Sequence, residues 1–317
     1  MQKKGWDMKK TVMVTGGHGF LGSFVVKRIL NVTNYNVFVP GSDSFDLRKK
    51  SNVDNLFDVV RPDMVVHLAA RVGGIGANKE NPGAFFYDNM IMGLNLVEAS
   101  REYGVGKFIH TGTVCSYPKF CQVPFKEDDL WNGFPEETNA PYGIAKKAII
   151  TMLEGYKKQY GLNSMVLLPV NLYGPKDNFD DSSSHVIPAL VKRVYEAREN
   201  GDKKIVCWGS GNVSREFLYV EDAAEAICVA LDSEVNDPVP INLGGCGEIT
   251  IRDLVGVVCE CLEYEGEIEW DLDKPDGQPR RCLDTSRCRD LLKWRAKTDF
   301  REGLNKTINW YLDNVRC

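Results

Sequence analysis

The segment TGGHGFLG, residues 15–22, constrains this chain more than any other. It follows a short apolar run, Thr11–Val14, and opens a stretch of helical period, Gly19–Leu30. Its glycines Gly16, Gly19 and Gly22 recur at every third position. At a strand end one glycine lets the backbone turn sharply. The next lets a pyrophosphate approach the main chain, and the last lets the helix pack on the strand. In an arbitrary loop the trio would signify turn chemistry alone. Between a strand and a helix it predicts a dinucleotide site.

The remaining sequence continues the rhythm. Runs at Thr11–Val14, Asn36–Val39, Met64–Leu68, Lys107–Thr111, Ser164–Pro169, Lys204–Cys207 and Pro240–Leu243 read as strands. Helical period marks Gly19–Leu30, Asn52–Arg61, Ala84–Tyr103, Ala140–Tyr160, His185–Glu199, Val220–Leu231 and Ile251–Cys261. The alternation predicts an α/β fold, a Rossmann-type doubly wound parallel sheet. Runs such as MVVHLA are apolar throughout, as strands covered on both faces should be. After Tyr173 the rhythm breaks at the polar GPKDNFDDSSS, and it breaks again across Asp271–Thr285. The expected division is a Rossmann domain of 1–173 with about 204–246, and a smaller α/β substrate-binding domain of about 174–203 with 247–317.

Composition removes several function classes. A net charge of −5 gives a nucleic-acid partner no electrostatic support. No apolar stretch reaches the ~18 residues a membrane span requires. The opening MQKKGWDMKK has charge without an apolar core behind it, unlike a secretory leader. Ten cysteines lack any CxxC pair, and Cys207, Cys228 and Cys259 sit in apolar runs. They read as reduced, mostly buried thiols of a cytoplasmic protein. The four histidines do not cluster with cysteines at ligand spacing, so no metal site is expected.

Tyr142-Gly-Ile-Ala-Lys146 lies within Ala140–Tyr160, and its spacing puts phenol and ammonium on one helix face. A phenol titrates near ~10 and is a poor proton shuttle at neutral pH. A neighbouring ammonium favours the phenolate, and Lys146 is also placed to reach the ribose of a dinucleotide. Thr113, just beyond the strand Lys107–Thr111, adds a hydroxyl. The Y-x-x-x-K pattern alone is common on exposed helices. Combined with the glycine turn and Thr113, it points to proton and hydride chemistry.

This set resembles the extended short-chain dehydrogenases/reductases. TGGHGFLG is similar to their TGxxGxxG turn, and the HLAA of His67–Ala70 to their cofactor-lining turn, with His67 in a structural role. Asp46-Leu47 is similar to their adenine-contacting pair. Within that class, AARVGGIGANKENPGAFFYDNMIMGLNL, CSYPK at Cys115–Lys119, TNAPYGIAK, PVNLYGPKDNF, SSSHVIPAL and WGSGNVSREFLYVED resemble the GDP-L-fucose synthases. The likeness runs from about residue 11 to 295 and weakens in the tail.

The resemblance implies NADPH-dependent conversion of GDP-4-dehydro-6-deoxy-D-mannose to GDP-L-fucose, by 3,5-epimerisation and then 4-keto reduction. It implies Thr113, Tyr142 and Lys146 for reduction, with Cys115 as base and His185 as acid for epimerisation. It implies cofactor contacts from Gly16, Gly19, Phe20, Leu21, Gly22, Asp46, Leu47, Leu68, Ala69, Ala70, Tyr142, Lys146, Pro169, Asn171, Leu172 and His185. For the GDP-linked deoxyhexose it implies Asn171, Arg193, Trp208, Arg215 and Arg281. It also implies a homodimer through Ala84–Tyr103 and Ala140–Tyr160, although Met90, Met92, Ile149 and Met152 suit an intramolecular core equally well.

The residues themselves leave NAD and NADP open. The second strand ends VFVPGSDS, with no acid for the ribose hydroxyls and no arginine for a 2′-phosphate, since Gly41 and Ser42 stand there. His18 and Arg48 are the substitutes at hand; the resemblance implies NADP. Two rival readings remain at this stage. One is a reductase or epimerase of another 4-keto nucleotide-sugar. The other is a non-catalytic dinucleotide-binding scaffold, for which the glycine turn alone would suffice.

Overall fold

The computed structural model describes residues 9–181, 183–274 and 277–314. The first half of the chain runs β1 (Thr11–Thr15), α1 (Phe20–Val32), β2 (Asn36–Phe38), α2 (Lys50–Val60), β3 (Met64–His67), α3 (Ile75–Glu80), α4 (Pro82–Glu102), β4 (Lys107–Thr111), α5 (Ala140–Tyr160) and β5 (Ser164–Pro169). It continues β6 (Asn171–Tyr173), α6 (Val186–Asn200), β7 (Lys204–Trp208), β8 (Ser214–Tyr219), α7 (Val220–Asp232), β9 (Pro240–Leu243), β10 (Glu248–Thr250) and α8 (Ile251–Cys261). The last elements are β11 (Glu267–Asp271), β12 (Arg280–Arg281), α9 (Ser286–Leu292) and α10 (Phe300–Asn314).

Six strands form one parallel sheet in the order β2-β1-β3-β4-β5-β9. Its inner strands are the apolar runs noted above: β3 and β4 are buried along their whole length. Such strands need cover on both faces, and helices supply it. α1 packs on α7, and α4 packs on both α2 and α5. The chain goes from β1 to β2 on one side and reaches β3 on the other. This leaves a crevice at the carboxyl ends of β1 and β3, the switch point where such sheets bind ligands.

A second core gathers Tyr173, Ile187, Val191, Phe217, Leu254, Leu304 and Ile308. Here the structure differs from the sequence expectation. The strand at Lys204, expected to return to the main sheet, pairs in parallel with β11 instead. Ile205 and Cys207 join the second core, while Lys204, Val206 and Trp208 are exposed. That alternation belongs to a strand covered on one face, not to a central parallel strand. β8 spans both cores by the same period of two: Leu218 faces the first, Phe217 and Tyr219 the second.

Cys115, Cys121, Cys207, Cys228, Cys246, Cys259, Cys261, Cys282 and Cys288 are free thiols. Among the described residues no helix is long and apolar enough to cross a membrane. No group of potential metal ligands occurs among them either. Residues 1–8, Ser182 of SSSHVIPAL and Cys317 lie outside the described residues.

Candidate active site

The crevice is built from the glycine turn. Gly16 takes φ +71 and sits flat on the turn after β3: a Cβ there would lie 2.7 Å from the Ala69 nitrogen and 2.9 Å from the Leu68 carbonyl carbon. Gly22 packs on Gly16 so closely that a Cβ would collide with the Gly16 carbonyl. Gly19 is the N-cap of α1 and donates its amide to Gly16 O at 3.0 Å. No side chain caps this helix, and its first turn contains no acid. The amides of Phe20, Leu21 and Gly22 therefore face no competing carboxylate, which suits a bound pyrophosphate. Leu68, Ala69 and Ala70 are half-buried beside the turn.

Beneath the crevice lie two histidines paired across β3 and β4. His67 Nδ1 meets Thr15 Oγ1 at 2.9 Å, and His110 Nε2 lies 3.3 Å from the Lys146 carbonyl. The rings are 5.8 Å apart. Burial, with the Lys146 charge adding to it, holds both imidazoles well below their ordinary pKa. They are neutral floor pieces.

Tyr142 and Lys146 are both buried on α5. Burial lowers the Lys146 ammonium from 10.5 to about 8. Burial pushes the Tyr142 phenol well above its usual value, the Cys115 thiol raises it further, and a hydrogen bond with Thr113 pulls the other way. The sequence predicts a phenol lowered by its neighbouring ammonium; in the structure burial outweighs any such influence and the phenol is raised.

Thr113 opens a single 3-10 turn, Val114–Ser116, and its Oγ1 accepts the Cys115 amide at 3.1 Å. Ser116 Oγ donates to Gly143 O at 2.9 Å. Gly143, the residue after Tyr142, rests directly on the Cys115 carbonyl. Thr113, Cys115, Tyr142 and Lys146 are thus brought together by one turn packed on one helix. Arg281 reaches the same place from β12, with Nη1 4.0 Å from Cys115 Sγ. Its Nε and Nη2 donate to Gln278 Oε1 at 3.0 and 2.6 Å. Gln278 Nε2 donates to the Lys119 carbonyl. Arg215 is the ladder partner of Arg281, and its Nη1 donates to Gln278 O at 2.7 Å.

The other expected residues are more dispersed. His185 is the N-cap of α6, close after Ser183, whose carbonyl accepts the Gly74 amide at 3.1 Å. This places it by the loop that follows the His67–Ala70 turn. Surrounding protein lowers its imidazole from the ordinary value. Asn171 and Leu172 lie in β6, and Asn171 Nδ2 donates to Glu216 O at 3.4 Å. Pro169 ends β5. Arg193 Nη1 donates to Val206 O at 2.9 Å, and Trp208 is 68% exposed with Lys274 Nζ 5.5 Å above its ring. Asp46 is gripped by Arg48 at 2.9 and 3.1 Å, and Arg48 also lies 3.6 Å from Asp88. The Leu47 side chain is buried in the first core.

Sequence reasoning did not single out Gln278 or Glu216. The buried Glu216 carboxylate accepts the amides of Gly245 and Leu283, both at 2.8 Å, and so fastens the segment that carries Arg281. Burial raises its pKa. A lone glutamine in a polar stretch has no pattern to mark it, whereas an acid inside REFLYV departs from an apolar strand and is a usable signal.

Residues 12–244 match the NAD dependent epimerase/dehydratase family. The chain belongs to this family. The family span contains the glycine turn, Thr113, Cys115, Tyr142 and Lys146, and ends before Gln278 and Arg281. GDP-L-fucose synthase 1 of Arabidopsis thaliana is 38% identical over 98% of this chain and 95% of that protein. GDP-L-fucose synthase of Sinorhizobium fredii (strain NBRC 101917 / NGR234) is 39% identical over 96% of each. Among solved structures of similar fold, a GDP-L-fucose synthetase from Naegleria fowleri bound to NADP superposes with a TM-score of 0.88 at 27% identity, covering 96% of this chain and 95% of that one.

Proposed function

We propose that this epimerase/dehydratase family member is a GDP-L-fucose synthase that converts GDP-4-dehydro-6-deoxy-D-mannose to GDP-L-fucose with NADPH. The observation that carries the reading is Cys115 in the turn that Thr113 opens, packed on the helix of Tyr142 with a guanidinium at its sulfur. Reduction alone needs the hydroxyl, the phenol and the lysine. A thiol at the same place suits removal of protons from the carbons beside a keto group.

The turn fits a dinucleotide, because Gly16 and Gly22 leave no side chain where a pyrophosphate would approach and α1 presents uncapped amides. Phe20, Leu21, the Leu68–Ala70 turn, Asp46 and Leu47 would line it, with Lys146 on the ribose and Pro169, Asn171, Leu172 and His185 along the far wall. Bound there, NADPH supplies the hydride for the 4-keto carbon. Tyr142 is kept protonated by burial and hands its proton to the ketone oxygen as that oxygen gains charge. Cys115 removes the proton at carbon 3 and at carbon 5 in turn, and each time His185 returns a proton to the opposite face of that carbon. Arg193 and Arg215 suit the diphosphate, Trp208 the nucleotide or sugar face, and Arg281 the sugar end.

The same reading assigns the cofactor to the first core and the sugar nucleotide to the second. Free cysteines support a cytoplasmic setting. A homodimer through α4 and α5 is part of it. Ile149 is fully buried and serves the fold, while Met90, Met92 and Met152 pack against the first core and stay partly exposed. The candidates for a partner copy are the exposed Phe86, Tyr87 and Leu94 of α4.

The test is product analysis by NMR after incubation with GDP-4-dehydro-6-deoxy-D-mannose and NADPH, beside the UDP-linked ketosugar. GDP-L-fucose is expected. Turnover of the UDP sugar alone, or of neither, would overturn the proposal.

A further inference from the structure

We propose that Gln278 and Arg281 are a positioning pair: together they hold a full positive charge against Cys115 and favour its thiolate, so that the segment carrying β12 activates the epimerising base. The inference rests on the GDP-L-fucose synthase reading. A thiol takes a proton from carbon only as thiolate, and a half-buried thiolate needs a compensating charge. Arg281 Nη1, at 4.0 Å, supplies it.

The geometry favours this role in three ways. First, the rest of the guanidinium is already committed: Nε and Nη2 both donate to Gln278 Oε1, which leaves Nη1 for the sulfur. Second, that acceptor is a neutral amide. A carboxylate in its place would cancel the charge, and this is the situation of the preceding residue, whose fork is occupied by Glu248. Third, Gln278 is held by two separate segments. Its Nε2 donates to the carbonyl of Lys119, in the CSYPK segment that begins at Cys115, and its own carbonyl accepts Arg215. Glu216 pins the amide of Leu283 just beyond.

In the step itself the Cys115 thiolate forms an S–H bond as the C–H bond beside the ketone breaks. The electron pair moves onto the ketone oxygen as an enolate, and a proton from His185 rebuilds C–H on the other face. Arg281 stabilises the charged starting sulfur, not the neutral product, and therefore acts through Cys115.

Iodoacetamide labelling of Cys115 across a pH series, read by peptide mass spectrometry, tests the pair without any sugar present. In Arg281→Ala the pH midpoint of labelling should move up by about 1 unit, as expected when an opposite charge 4–6 Å away is lost. Arg281→Lys should restore most of it, and Gln278→Glu should shift it upward with Arg281 still in place. In deuterated water, exchange at carbons 3 and 5 should fall at least ~10-fold in Arg281→Ala and recover as pH rises. A residue that only gripped substrate would raise KM and leave the labelling midpoint of the free enzyme where it was. An unchanged midpoint in both Arg281→Ala and Gln278→Glu, each folded by circular dichroism, overturns the proposal. If the wild type makes no GDP-L-fucose while the midpoint still shifts, the functional reading fails and the pair stands.

Discussion

Gly16 lies against Ala69 so closely that a Cβ would come within 2.7 Å of the Ala69 nitrogen, a backbone atom that cannot swing aside. Gly16→Ala therefore meets two costs. The left-handed φ of +71 is unfavourable to a side chain by ~1–2 kcal/mol, and the clash adds to it. The variant should lose at least ~2 kcal/mol in urea unfolding and fail to bind the dinucleotide. Gly41→Ala is the control, since nothing lies within 4 Å of a Cβ there. Equal stability of the two variants would contradict the role given to the turn.

Tyr142→Phe removes one hydroxyl from a buried site and deletes its hydrogen bond with Thr113. The loss of one such bond is worth ~1 kcal/mol, so the fold should persist. Oxidation of NADPH by the ketosugar should become undetectable, while cofactor binding, followed by nicotinamide fluorescence, stays within a few-fold of wild type. Near-normal turnover would remove Tyr142 from the role of acid.

Lys146 sets a pH dependence of stability. Its ammonium titrates at about 8 in the folded protein against 10.5 ordinarily. Between those values the unfolded chain holds a proton that the folded chain has released. Stability therefore rises with pH across that window, and below it the full penalty of the buried charge is present. The penalty is ~3 kcal/mol. Lys146→Met lacks this titration. Its stability relative to wild type should be greatest near neutrality and decline as pH climbs from about 8 toward 10.5. A difference that is flat with pH would mean that Lys146 is not buried as a charge.

Arg48 was one substitute at hand for the arginine missing at the end of β2. Its fork is occupied by Asp46, and it faces Asp88 besides. Arg48→Ala should change the Kd for NADPH by less than ~3-fold. The preference for NADPH over NADH should be modest, because a bidentate phosphate contact worth ~2 kcal/mol is not supplied from this position. Fluorescence titration of both cofactors measures it. A large loss of NADPH affinity in Arg48→Ala would show that the pair with Asp46 opens for the 2′-phosphate.

Much of this protein is determined locally, and those parts were legible in the sequence. β4, β5, β9, α5 and α8 form at their expected bounds, because long apolar runs and strong helical period have one favourable arrangement whatever surrounds them. The glycine turn is likewise a matter of local sterics, and Tyr142 and Lys146 share a face by helical spacing alone. Other features depend on where distant segments meet. Lys204 to Trp208 reads as a strand, but its partner β11 was chosen by the second core, which accepts one face of it. Burial of α5 decided that the Tyr142 phenol is held above its usual value although an ammonium shares its helix face. The approach of Arg281 to Cys115 joins residues 166 positions apart through an amide that no sequence pattern marks. Spacing specifies neighbours along a helix or strand; it carries no information about which charge will stand beside a thiol once two cores have closed on each other.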